Sequence, residues 1–183
     1  MNYLKTCISR PPQYLVERLL PTLAISICLA VFCVEAVADV GSSRVVKKEP
    51  KGAVDVLAMR KDAKDQQDVV VIGRIGGRAN PWIKGVAAFP IVDRSLRPCN
   101  EIEGDTCQTP WDYCCEATLP KATALVMFVD EQGKVIKKDP RELLQVKELQ
   151  TVVVQGKVKR DKAGNITVLA ENIYIRDDKK EKQ

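Results

Sequence analysis

The stretch TVVVQGKVKRDKAGNITVLAENIYI, residues 151–175, contains two β-branched segments that flank a turn. The segments TVVVQGKVKR and ITVLAENIYI are rich in Val, Ile and Thr, which are typical of strands. The residues DKAGN between them supply the Asp, Gly and Asn that hairpin turns favour. The stretch therefore predicts a β-hairpin formed by the last two strands of the domain.

Three further segments upstream also have strand character. DVVVIGRIGGRA, residues 68–79, alternates apolar side chains and contains three glycines, which indicate a bend or a bulge. KGVAAFPIVDRSL, residues 84–96, and ATALVMFVD, residues 122–130, predict a second and a third strand. Together with the hairpin, these segments give five main strands.

Two short helices complete the predicted order. AVDVLAMRKDAKDQQ, residues 53–67, carries a short apolar face at helical spacing. DPRELLQVKEL, residues 139–149, begins with the Asp-Pro pair of a capped helix. One helix thus precedes the first strand, and the other precedes the fourth.

This order resembles the OB fold. A strand of the form V-x-V-x-G-x-V, a Gly-containing hairpin and a strand ending in A-x-x-I-x-I resemble the last OB hairpin, and VVVIGRIGG, residues 69–77, resembles the first OB strand. The resemblance covers about residues 68–176. It implies a mainly β, small five-stranded OB-like barrel, with a long cysteine-rich loop between strands two and three. Because OB domains serve many functions, it implies no particular activity.

The first 38 residues predict an export signal. The basic residues Lys5, Arg10 and Arg18 precede an apolar run over residues 19–34. An Ala-x-Ala pattern, Ala36 and Ala38, follows the run directly before Asp39. We therefore expect cleavage after Ala38 and a periplasmic or extracellular protein. Two alternatives remain open: an uncleaved membrane anchor over residues 19–34, and a lipoprotein with its lipid on Cys33.

The rest of the chain divides into four parts. Residues 39–52 predict a flexible linker, 53–67 a short helix, 68–176 the barrel and 177–183 a charged tail. The net charge of +5 is mild, and only 5% of residues are aromatic. Both values point away from nucleic acid, which needs clustered cations and stacking aromatics. A membrane contact is expected only through an uncleaved N-terminal segment.

Four of the seven cysteines lie in residues 94–123, which we name the cysteine loop: Cys99, Cys107, Cys114 and Cys115. Its box TPWDYCC, residues 109–115, resembles one in small secreted bacterial proteins of unknown function. The first interpretation is two structural disulfides, which an exported protein can keep. Neighbouring Cα atoms, about 3.8 Å apart, are too close for the usual disulfide, so Cys99 and Cys107 would each pair with one member of the doublet.

Two other interpretations remain open for the same cysteines. Four thiolates could hold Zn²⁺ or Cu(I), although the loop lacks C-x2-C spacing. Alternatively, the adjacent pair could exchange disulfides with Cys107 or Cys99. The chain has no histidine, so imidazole ligands and His-dependent nucleophiles are excluded. We recognise no catalytic constellation and expect a protein that is not an enzyme and needs no cofactor, unless the loop binds Zn or Cu.

Six other side chains are candidate ligand contacts: Trp111, Tyr113, Arg74, Arg78, Lys157 and Lys159. The two aromatic residues could anchor a partner, or they could pack beneath the cysteine loop. The basic residues fall on predicted strands or their ends, where they could hold a polyanion or glycan, or form a solvated face. We therefore expect an exported OB-like binding or scaffold module for an unknown ligand or protein partner. The alternatives are a metal-binding or thiol-redox protein and an OB-type nucleic-acid binder.

Overall fold

The computed structural model describes residues 44–177. The predicted export signal, the first part of the predicted linker and almost all of the charged tail lie outside these residues. Between Arg44 and Asp177, no helix has both the length and the apolar character needed to cross a membrane.

The structure confirms a mainly β domain. Its strands are β1 (Val54–Asp55), β2 (Asp68–Ile75), β3 (Ala88–Val92), β4 (Thr123–Phe128), β5 (Thr151–Arg160) and β6 (Ile166–Ile175). Its α-helices are α1 (Val56–Asp62) and α2 (Pro140–Leu144), and short 3₁₀ turns cover Cys99–Glu101 and Leu119–Lys121. All five main strands and both helices lie where the sequence predicts them.

The first helix is shorter than the predicted segment 53–67. Val54 and Asp55 form the additional strand β1, because they pair in parallel with Val71 and Ile72 of β2. The helix begins only at Val56, whose side chain is buried with that of Met59. Pairing with a neighbouring strand therefore overrides the helical pattern at its first turn.

Five strands close into a barrel in the order β2-β3-β4-β6-β5, and β5 pairs again with β2. The closing ladder runs from Asp68 opposite Lys157 to Arg74 opposite Thr151. The connection between β4 and β5 contains α2, and β4 runs parallel to β6. This strand order confirms the predicted OB-like barrel, which has no free edges along its closed ladders.

The barrel bends where β5 meets β6. The register shifts between Gln155 and Gly156, so that Gly156 faces Ala170. A Cβ at Gly156 would overlap the carbonyl oxygen of Leu169 and lie 2.9 Å from the Cα of Ala170. The glycine therefore permits the close approach of two backbones that the closed barrel requires.

The main core fills the barrel and extends beneath both helices. Phe89 and Phe128 lie at its centre, with ring centroids 6.2 Å apart. Trp82 packs edge-on against Phe89 and donates its indole N–H to Glu148 over 2.6 Å. Leu143 and Leu144 of α2 join the same cluster. Trp82 is thus a structural residue that pins the β2–β3 connection.

Part of the predicted linker contacts the barrel. Val45 forms a parallel bridge with Ile173, and the backbone N–H of Val46 donates to the carbonyl of Ile173 over 2.9 Å. Glu49 forms an ion pair with Arg176 at 2.7 Å. Residues 44–49 therefore lie along β6 instead of leaving the domain.

Candidate functional site

The cysteine loop connects β3 to β4 and covers one end of the barrel. At its start, the buried carboxylate of Asp93 accepts the backbone N–H of Leu57 in α1 over 2.7 Å. In its middle, the indole N–H of Trp111 donates to the carbonyl of Ala79 over 2.9 Å. A Cβ at Gly76 would lie 2.7 Å from the carbonyl oxygen of Trp111, so glycine lets the loop backbone approach β2.

Backbone pairing inside the loop brings distant cysteines together. The N–H of Cys99 donates to the carbonyl of Asp112 over 2.8 Å, and the N–H of Asn100 donates to that of Pro110 over 3.1 Å. These bonds fold the 3₁₀ turn at Cys99 back against the TPWDYCC box. As a result, Cys99 lies beside Cys114.

Three sulfur atoms converge in this fold. The Sγ atoms of Cys99, Cys107 and Cys114 all lie within 4.8 Å of one another, and those of Cys99 and Cys114 are 3.5 Å apart. The Sγ of Cys115 is 3.9 Å from that of Cys114. Cys99 is buried, Cys107 is half-buried, and the doublet is exposed. The cluster therefore has a protein side and a solvent side.

The four cysteines are free thiols in the structure. The 3.5 Å between the sulfurs of Cys99 and Cys114 exceeds the disulfide bond length of about 2.05 Å. Cys99 does neighbour one member of the doublet, as the disulfide interpretation expects. The two disulfides themselves stay a prediction.

The environment of each thiol differs. Burial raises the pKa of Cys99 to about 12. The Thr109 hydroxyl, 3.4 Å from the Sγ of Cys107, is the main cause that lowers the pKa of Cys107. When protonated, the same thiol donates to the Thr109 carbonyl oxygen over 3.5 Å. The hydrogen bond with Cys99 lowers the pKa of Cys114, but contact with Cys115 and loss of solvent outweigh it, so the net shift of that pKa is upward. Of these three thiols, Cys107 is thus the one whose pKa is lowered.

We expect the thiols of the reduced, metal-free protein to react with iodoacetamide in an order that exposure alone would not give. Near neutral pH, Cys107 should be alkylated before the more exposed Cys114, because a lowered pKa increases its thiolate fraction. Cys99 should react last. Peptide mass mapping over time measures the order, and Thr109→Val should slow Cys107 selectively. Faster alkylation of Cys114 than of Cys107 would contradict this account.

Tyr113 packs beneath the cysteine loop. It is the largest fully buried side chain among residues 44–177 and forms a second small core with Val92, Leu96 and Ala122. Burial raises the pKa of Tyr113 to about 12. Its hydroxyl makes no hydrogen bond of good geometry within the described part of the chain, although the nearby Arg74 guanidinium opposes the upward shift of its pKa. Of its two predicted roles, packing beneath the loop is the one that this placement favours.

The variant Tyr113→Phe should therefore be as stable as the natural protein, or more stable by about 1 kcal/mol. The reason is that a buried hydroxyl without a partner loses hydration and gains no hydrogen bond. Urea unfolding under reducing conditions measures the difference, and Tyr174→Phe, at a half-buried position of β6, is the matched control. A loss above about 1 kcal/mol in Tyr113→Phe alone would mean that the hydroxyl has a partner after all.

The other candidate contacts do not form one basic surface. Arg74 forms an ion pair with Glu101 of the cysteine loop at 2.7 Å, whereas Lys157 pairs with Asp68. Because Asp68 and Arg74 are six residues apart on β2, these two cations are separated by about 20 Å along the strand. Lys159 is exposed on β5, and Arg78 is exposed on the β2–β3 connection. Trp111 is half-buried, and its indole N–H donates to the carbonyl of Ala79.

Two further residues lie near the sulfur atoms. Thr109 supplies the hydroxyl beside Cys107. Asp105 accepts the N–H of Cys107 through Oδ1 over 2.7 Å, and its buried Oδ2 has no partner among residues 44–177. Sequence reasoning missed Thr109, because a Thr two residues after a cysteine is too common in sequences to mark a site.

No protein-family model matches the chain. No curated protein matches it either. Among solved structures, the hypothetical protein ygiW from E. coli is 18% identical, with a TM-score of 0.35, and the match covers 69% of this chain and 94% of that one. The OBody AM1L10, solved bound to hen egg-white lysozyme, is 15% identical, with a TM-score of 0.40 and coverages of 72% and 98%.

A putative aspartyl-tRNA synthetase from Leishmania major Friedlin is 12% identical, with a TM-score of 0.40. That match covers 72% of this chain but only 21% of the synthetase, so the chain spans about a fifth of its length. Similarities of this size carry no inference about activity. The fold assignment rests on the strand order of the closed barrel itself.

Proposed function

We propose that the protein is an exported OB-like module that binds one thiophilic metal ion, Cu(I) or Zn²⁺, through Cys99, Cys107 and Cys114. The observation that carries this proposal is the convergence of three Sγ atoms within 4.8 Å of one another. Soft thiolates suit both ions. The leader-like pattern of residues 1–38 is the reason for placing this function outside the cytoplasm.

The spacing of the sulfur atoms supports a shared ion. A metal–sulfur bond of about 2.3 Å places thiolates about 3.8–4.0 Å apart around one centre. The observed separations, from 3.5 Å between Cys99 and Cys114 to at most 4.8 Å, bracket that value. The three sulfur atoms therefore already lie close to the separations that one shared ion requires.

The exposure of the ligands supports an exchangeable site. Cys99 is buried, whereas Cys114 and Cys115 lie at the surface. Structural zinc sites are usually closed by four protein ligands, whereas this cluster presents three. Cys115, 3.9 Å from Cys114 at sulfur, is the neighbouring thiol that could complete the set or receive the ion in transfer.

Competition with a chromophoric chelator tests the proposal. The reduced protein is titrated anaerobically with Cu(I) in the presence of bicinchoninate, and separately with Zn²⁺ in the presence of a zinc dye. We expect one ion per chain for at least one metal, with an affinity that exceeds that of the chelator. Failure to compete for either ion would contradict the proposal. The comparison of the two titrations identifies the preferred ion.

A second candidate is a binding or scaffold module whose cysteine loop is closed by disulfides. The 3.5 Å approach of Cys99 and Cys114 favours it, because a small movement would allow this pair to bond under oxidation. The metal-binding module and the disulfide-closed module are distinguished by counting the thiols that can be alkylated in protein that was never exposed to reductant. Four free thiols would support the metal site, and no free thiol would support two disulfides. Two free thiols, with one member of the doublet able to exchange disulfides, would support redox exchange.

A further inference from the structure

A second site lies away from the sulfur atoms. A cleft of about 600 Å³ opens where β4 and β6 meet the β2–β3 connection and the β5–β6 hairpin. Its size falls in the range of small-molecule sites, about 300–1,000 Å³. Two arginines line the cleft, Arg60 and Arg78. Its apolar lining residues include Leu119, Pro120, Leu125 and Ile166. The cleft therefore suits a ligand that has both a charged end and an apolar body.

The arginine charges at this cleft lack an acidic partner. Arg60 extends from α1 and donates to the carbonyl of Thr123 over 2.7 Å. Behind it, Arg160 donates to the carbonyls of Ala63 and Arg60. Neither guanidinium forms an ion pair with a carboxylate of the described chain. Burial, and then the charge of Arg160, lower the pKa of Arg60, so an anion beside it would be stabilised.

Arg78, on the β2–β3 connection, also lines the cleft. It is exposed and makes no hydrogen bond or ion pair within residues 44–177, so its side chain can turn toward a ligand. It follows Gly77, another lining residue, whose positive φ of 83° turns the chain. Two arginines from separate elements thus line the same cleft, and guanidinium groups are suited to oxyanions.

The lining also contains one acidic residue, Asp161, which offsets only part of the arginine charge. Asp161 uses Oδ1 to accept the N–H groups of Ala163 and Asn165, at 2.9 and 2.8 Å. Its Oδ2 accepts the side-chain amide of Asn165 over 2.7 Å. These bonds keep the carboxylate ionised within its own hairpin, and two arginines against one aspartate leave the lining with an excess of positive charge.

We propose that this cleft binds a small organic anion, whose carboxylate or phosphate group lies between Arg60 and Arg78 and whose apolar part rests on Leu119, Leu125 and Ile166. Guanidinium groups bind both oxyanions through paired hydrogen bonds. The proposal is independent of the metal site, because none of the four cysteines lines the cleft.

Calorimetric titration of the full-length protein with phenyl phosphate, benzoate and inorganic phosphate tests this inference. We expect saturable binding of phenyl phosphate or benzoate, and binding of inorganic phosphate that is at least tenfold weaker, because it lacks the apolar part. Arg78→Gln should weaken binding at least tenfold without loss of folding, since Arg78 is exposed and unbonded. Arg60→Gln should weaken it similarly. Lys84→Gln removes an equal charge from the same connection, outside the lining, and should change affinity less than twofold.

Any one of three outcomes would overturn the proposal that the cleft binds a small organic anion. Absence of saturable binding for both organic probes would exclude the site. Equal affinities for inorganic phosphate and phenyl phosphate would mean that the apolar lining residues do not contribute to binding. Equal losses in Arg78→Gln and Lys84→Gln would indicate nonspecific attraction to a basic protein. The variant Cys99→Ser should bind the organic anion normally, so a failure here is distinguishable from a failure of the metal proposal.

Discussion

Replacement of Gly156 by alanine is expected to destabilise the barrel by about 2–4 kcal/mol. Gly156 lies at the register shift between β5 and β6, where an added Cβ would overlap the carbonyl oxygen of Leu169. The obstruction is backbone, so no side-chain rotation can relieve it. The two strands would have to separate, although β5 also closes the barrel against β2. A single methyl group thus opposes the closure of the whole sheet.

Urea unfolding followed by tryptophan fluorescence measures this loss, with reductant and chelator present to keep the cysteine loop in one state. Lys159→Ala is the matched control, because Lys159 is exposed on the same strand. The control should change stability by less than about 0.5 kcal/mol. If Gly156→Ala unfolds at the same urea concentration as the natural protein, the close β5–β6 approach is wrong.

The second large effect is expected at the metal site. Cys99→Ser should lower the affinity for the preferred ion by about 10²–10³-fold. Structural zinc sites bind with about 10–16 kcal/mol, which is about 2.5–4 kcal/mol for each of four ligands. Cys99 is the buried member of the cluster, only 1% exposed, so its replacement removes the ligand on the protein side of the site.

The doublet provides the control for this experiment. Cys115 lies outside the group of three converging sulfurs, so Cys115→Ser should lower affinity much less than Cys99→Ser or Cys107→Ser. Chelator competition gives all three affinities, and circular dichroism verifies that each variant is folded. Equal losses for Cys99→Ser and Cys115→Ser would contradict a three-cysteine site and favour a site that uses the whole doublet.

The barrel was predictable because its signals are local. The β-branched segments, the DKAGN turn and the Asp139–Pro140 helix start each specify one element, and the structure contains all of them. The side chain of Asp139 accepts the N–H of Arg141 over 2.8 Å, as a helix cap should. By contrast, the pairing of Val54 and Asp55 with β2 depends on a neighbour distant in sequence, which no local pattern reveals.

The candidate sites were only partly predictable for the same reason. The spacing of the cysteines identified a cluster, but the choice of Cys99, Cys107 and Cys114 as its converging members depends on how the loop folds back from Asp112 to Cys99. The cleft was harder still. Arg60 lies on a helix and Arg78 on a connection, and only barrel closure brings both to one opening. The predicted basic residues Arg74 and Lys157 instead lie far apart, each paired with an acid.

The most direct test of the metal site is a mass measurement on protein exported into an oxidising compartment and never exposed to reductant. Native and denaturing spectra of the same sample are compared, and the thiols are counted by alkylation. The account predicts one metal ion per chain in the native spectrum, its loss on denaturation, and four free thiols in the mature protein. A mass deficit equal to two disulfides, with no metal in either spectrum, would contradict it.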